Sequence, residues 1–98
     1  MKVSEITNKE LAEYLVLEYA SLTDAEKVNL DTLFSISIAF IKSYTGLTVE
    51  QIDTHEDFII VVYILVQDMY DNRRLYIEKN NLNKVVDTIL NMHSINLL

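Results

Sequence analysis

The chain has no cysteine, no proline and no tryptophan, and a single glycine in 98 residues. Without cysteine there is no disulfide frame and no thiolate nucleophile, which suits a reducing compartment. One glycine cannot build a Gly-rich phosphate loop, and a strand-rich fold needs turn residues every few positions, so helices joined by short polar connections are the expected class. Basic residues are also scarce: eight Lys and Arg stand against fifteen Asp and Glu, a formal charge of −7. That field repels polyanions and argues against a tight grip on nucleic-acid phosphates. Long apolar runs are missing as well. The longest, Phe58 to Val66, is nine residues bracketed by Asp57 and Asp68, whereas a membrane span needs about 20. The opening residues, MKVSEITNKELAEYL, are too polar for a signal peptide, so synthesis in a cytoplasm is expected.

What the chain has in excess is apolar surface. Half its residues are apolar and its mean hydropathy is positive, yet a domain of this size buries only about 60–65% of the surface its unfolded chain exposes. The surplus favours an oligomer. It concentrates in DFIIVVYILVQDMYDNR, Asp57 to Arg73, which the spacing predicts as the central helix. There Phe58, Ile59, Val62, Leu65, Val66, Met69 and Tyr70 form one face, with Asp57, Gln67, Asp68 and Asp71 opposite. Ile60 and Ile64 fall on the acidic side. A surface loop or terminus could cover them; a neighbouring subunit is the sharper expectation.

Local signals set the other elements. Thr7 or Asn8 caps a short first helix from Lys9 to Leu15, expected to fray through Leu17 to Leu22. Thr23-Asp24-Ala25-Glu26 reads as a capping box, and Gly46 sits where a helix-ending left-handed residue belongs, so a second helix runs from Asp24 to Thr45. Its core stripe is Leu30, Leu33, Ser37, Phe40, Ile41 and Tyr44; Phe34 and Ile38 repeat the off-face i, i+4 pairing of Ile60 and Ile64. Thr48 to Gln51 is a second box opening a single turn. Arg74 to Asn83 reads as an excursion with an extended piece at Leu75 to Glu78, and Asn83 caps a last helix from Lys84 to His93. The tail, Ser94 to Leu98, is apolar and is expected to dock. The fold class is therefore all-α: a single domain of about four helices plus a one-turn helix, with an extended loop at about 74–83 and a short C-terminal tail.

No catalytic constellation emerges. His55-Glu56-Asp57-Phe58-Ile59 opens like a zinc-protease helix, but Ile59 stands where a second imidazole is required. His93 is the only other histidine, with no third ligand in view. The paired carboxylates read as a solvated face on an acidic chain. No enzyme activity, cofactor or metal is expected.

The order of parts carries a resemblance. A helix closing in Phe40-Ile41-Lys42-Ser43-Tyr44-Thr45-Gly46-Leu47, an acidic turn at Thr48 to Asp53, a helix closing in Asp68-Met69-Tyr70-Asp71-Asn72-Arg73, then Lys79-Asn80-Asn81 and a terminal Met92 to Leu98 follow one another. This resembles the head-tail connector, or DNA-packaging, proteins of tailed bacteriophages and prophages of Gram-positive bacteria. The resemblance implies a non-catalytic virion protein assembled in the host cytoplasm. It would be a subunit of a homo-oligomeric ring at the head-tail junction, meeting itself, the portal protein and a tail-proximal head-completion protein. DNA would pass through the channel without sequence-specific binding, and no membrane is involved. A head-to-tail ring also needs two different complementary surfaces per subunit. From Thr45 to Asp71 there are six carboxylates and no Lys or Arg, and half of the basic residues follow as Arg73, Arg74, Lys79 and Lys84. The expected subunit contacts are Phe34, Ile38, Ile60 and Ile64, with Arg73 and Arg74 near a neighbour's carboxylates and Leu97 and Leu98 in the docked tail. A small helical adaptor or regulator using the same apolar pairs is the alternative, and a helix-turn-helix DNA binder, disfavoured by the charge, comes third.

Overall fold

The computed structural model describes residues 2–94, and the described residues contain helices and turns but no strand. After a 3₁₀ turn at Val3–Glu5 come α1 (Asn8–Tyr14), a 3₁₀ turn at Tyr19–Ser21, α2 (Asp24–Thr45), α3 (Val49–Asp53), α4 (Asp57–Asp71), a 3₁₀ turn at Lys79–Asn81 and α5 (Lys84–His93). Leu97 and Leu98 lie outside the described residues.

The starts of three helices follow from their caps. Thr7, Thr23 and Thr48 each accept from the backbone N–H three residues on, and Glu10, Glu26 and Gln51 each reach back to the cap backbone N–H. Gly46 ends α2 at φ 77°, its N–H donating to the Lys42 carbonyl at 2.9 Å. Asn83 caps α5 by accepting from the Val85 N–H at 2.8 Å. α4 has no side-chain cap; it grows directly out of the turn after α3, through His55 N–H to Ile52 O and Ile59 N–H to Glu56 O.

α4 is the centre of the packing, touching α1, α2 and α5, while α5 also rests on α2. It buries Phe58, Val61, Val62, Leu65, Val66 and Met69, a set whose removal from water contributes on the order of 10 kcal/mol before chain entropy is counted. Leu11 and Ala12 from α1, Leu30, Leu33 and Ile41 from α2, Ile52 from α3, and Val86 and Leu90 from α5 complete the core. Two buried hydroxyls on α2 are satisfied one turn back, Ser37 on the Leu33 carbonyl and Thr45 on the Ile41 carbonyl. At 47 × 27 × 18 Å the molecule is a flat slab, less than two helix diameters thick. Such a shape leaves much helix surface facing outward.

Several expectations are corrected. α4 stops at Asp71 instead of reaching Arg73, because Arg73 turns left-handed at φ 55° and the Arg74 N–H bonds back to the Met69 carbonyl; this is the paired reversal that normally recruits glycine. Leu75 to Glu78 finds no partner strand among the described residues and stays irregular, leading into the 3₁₀ turn. Leu17 to Leu22 does not simply fray but carries a 3₁₀ turn of its own. Val61, omitted from the expected face, is fully buried.

Candidate functional site: the outer surface of α4 and α5

α4 and α5 pack antiparallel. Asp57, at the start of α4, meets His93, at the end of α5, with Oδ2 and Nε2 2.7 Å apart. At the other end Ile64, Leu65 and Asp68 share a groove of about 390 Å³ with Ile77, Leu82 and Val86. On α5, Val86 and Leu90 face inward, and Asp87 and Asn91 turn toward α2, where the Tyr44 hydroxyl donates to Asn91 at 2.9 Å. The Tyr44 hydroxyl is held above its ordinary pKa by burial first and by the Asp87 charge second. Helical spacing then sends Val85, Ile89 and Met92 to the side of α5 turned away from α2. Met92 is 64% exposed and Val85 48%.

The expected contact residues separate into groups. Ile60 is 48% exposed, whereas Ile64 is half-buried against the core and shares its groove with Leu82 and Val86 of the same chain. Phe34 and Ile38 are likewise half-buried against the core. The idea that both i, i+4 pairs lack a place in their own fold therefore holds for Ile60 and not for the other three. Arg73 is exposed and lies over the Tyr70 ring, its guanidinium carbon 5.5 Å from the centroid. Arg74 is engaged within its own chain, donating to Asp68 Oδ2 at 2.6 Å and standing 3.7 Å from Glu78. The bond to Asp68 is the main reason its pKa is raised.

Three features escaped the sequence reading. Val85, Ile89 and Met92 do show i, i+4, i+7 spacing, but in the sequence they interleave with Val86 and Leu90, and only the packing separates the inward pair from the exposed Val85 and Met92. Val16 is 91% exposed and sits at φ 60°, a conformation that nothing in the local sequence announces. His55 and His93, far apart in sequence, lie with ring centroids 4.1 Å apart and planes tilted by 31°, beside Phe58.

No protein-family model, curated protein or solved structure matches this chain. The fold itself defines a small all-α bundle, in which no described helix is long and apolar enough to cross a membrane.

Proposed function

We propose that this chain is a structural virion protein, a subunit of a homo-oligomeric ring between the capsid portal and the tail of a tailed bacteriophage. There it extends the DNA channel for packaging and ejection and completes the head. The observation that carries the reading is the apolar surface left outside a filled core: Ile60 on α4 and Val85 and Met92 on α5. A second copy is the occupant that fits best, because the same chain also supplies unlike charged surfaces, an acidic stretch through α3 and α4 and a basic one from Arg73 to Lys84. The resemblance of its segment order to head-tail connectors supplies the biological setting. DNA would slide past an acidic wall by repulsion, without counterion release.

Sedimentation velocity and negative-stain electron microscopy of the purified chain, alone and with the cognate portal protein, test this. A discrete ring, formed alone or on the portal, is the expected result. A monomer at every concentration that also fails to cosediment with the portal refutes it.

A further inference from the structure

We propose that His55, Asp57 and His93 form a binding site for a divalent transition-metal ion of the zinc class, which ties the end of α5 to the start of α4. His55 comes from the turn after α3, Asp57 is the first residue of α4, and His93 is the last of α5. One donor atom from each of the three lies within 4.8 Å of the others. Zinc–nitrogen and zinc–oxygen bonds of about 2.0–2.2 Å put two ligands of one ion roughly 3–3.5 Å apart, so side-chain rotations of about 1 Å close the set.

A hydrogen bond explains the approach of His93 to Asp57, but it offers His55 nothing. The His55 ring makes no hydrogen bond to the described residues; it packs on His93 at 4.1 Å and edge-on to Phe58 at 5.9 Å. One ion shared by all three accounts for both imidazoles being held together at a half-buried position. Two imidazoles and one carboxylate suit zinc, cobalt or nickel and are poor for calcium or magnesium, which prefer oxygen alone. The Phe58 ring, 5.0 Å from that of His93, gives the site one apolar wall. Three protein ligands leave a position for water or a further donor. The ion's role is a clamp: it adds His55 to the contacts that already hold the last turn of α5, the buried Leu90, the Tyr44–Asn91 hydrogen bond and the approach of His93 to Asp57.

The test uses the full chain, freed of any polyhistidine tag and stripped with EDTA, titrated with ZnCl₂ by calorimetry and with CoCl₂ by visible absorption. One ion per chain is expected, and at a hundredfold excess over Kd zinc should raise the unfolding temperature by about 10 °C or more. His55→Ala and His93→Ala should each weaken binding at least tenfold, and CaCl₂ should not compete. His55 lies outside the helices, so its variant keeps the fold, checked by circular dichroism, and loss of binding there reports the ligand itself. Absence of saturable zinc binding up to millimolar concentration, or binding unchanged in both histidine variants, overturns the proposal.

Discussion

Replacing Val16 with glycine should stabilise this fold while removing an apolar side chain. Val16 follows α1 at φ 60°, with its N–H donating to the Glu13 carbonyl at 3.1 Å and the next N–H, of Leu17, to the Ala12 carbonyl at 2.8 Å. The left-handed conformation costs an L-residue about 1–2 kcal/mol, and branching at Cβ puts valine at the upper end. Glycine removes that strain but gives back about 0.5–1 kcal/mol of unfolded-chain entropy. With the side chain 91% exposed, almost no burial is lost. The net is a gain of about 1 kcal/mol, or roughly 4–8 °C in Tm for a domain of this size. Urea unfolding followed by circular dichroism should show a higher midpoint at unchanged slope. Val16→Ala keeps the Cβ and should recover only part of the gain. A midpoint that stays put or falls in the glycine variant refutes the argument, since it means that the turn is not left-handed in solution or that the methyl groups pack on the protomer. Strain of this kind persists where something else is gained. On the ring reading a neighbour covers those methyls, so the stabilised variant should also assemble less readily.

Ile60→Asp should leave the unfolding free energy of the isolated chain in urea within about 1 kcal/mol of the parent, since Ile60 is 48% exposed, yet shift sedimentation toward the monomer; equal assembly would remove Ile60 from the interface. Leu90→Ala is the opposite control, fully buried and expected to cost about 2–5 kcal/mol by chemical denaturation. Gly46→Ala should cost about 1–2 kcal/mol in the same assay, because φ 77° admits a Cβ only with strain. Asp53 is held below the usual carboxylate range by the hydroxyl of Ser4 first and its backbone N–H second, and Glu26 by the Thr23 backbone N–H first. A depressed carboxyl contributes stability that is complete above its unfolded pKa and lost as pH falls through the folded one, so stability should drop below about pH 4. Asp53→Asn should flatten part of that drop in pH-dependent urea midpoints; an unchanged acid limb would show the Ser4 bonds to be immaterial.

How legible each part was depended on the range of the force behind it. The limits of α2 and α5 could be read because their determinants are local: a reciprocal Thr23–Glu26 cap, a left-handed Gly46, an Asn83 side chain accepting from the backbone N–H two residues on. The end of α4 misled because an arginine occupies the left-handed position that glycine normally marks. Leu-Tyr-Ile at 75–77 has strand-forming residues, but a strand exists only with a partner, and the described residues offer none. The histidine cluster was invisible for a related reason. It exists because α5 runs antiparallel to α4 and brings His93 back over Asp57, a tertiary fact that no spacing in the chain encodes.

The surplus of apolar surface was legible in amount but not in location, and the reason bears on the proposed ring. In the sequence α4 has one face for its own core and an off-face pair, Ile60 and Ile64, that points to a neighbour. In the fold α4 is flanked by α1, α2 and α5 together, so its own chain takes a wider arc than one face, burying Val61 and half-covering Ile64. An interior helix spends its apolar surface within the protomer, and what remains must appear on the elements packed around it. Much of it is found there, on α5 at Val85 and Met92, on α2 at Val28 and at the turn after α1 at Val16, with Ile60 at the edge of α4 and Leu75 and Tyr76 in the loop that follows it. Burying the exposed half of an isoleucine is worth about 1 kcal/mol, so no one of these residues could hold two copies together. Several acting at once in each subunit contact could, which makes double substitutions across α4 and α5, such as Ile60→Asp with Met92→Asp, the sharper probe of assembly.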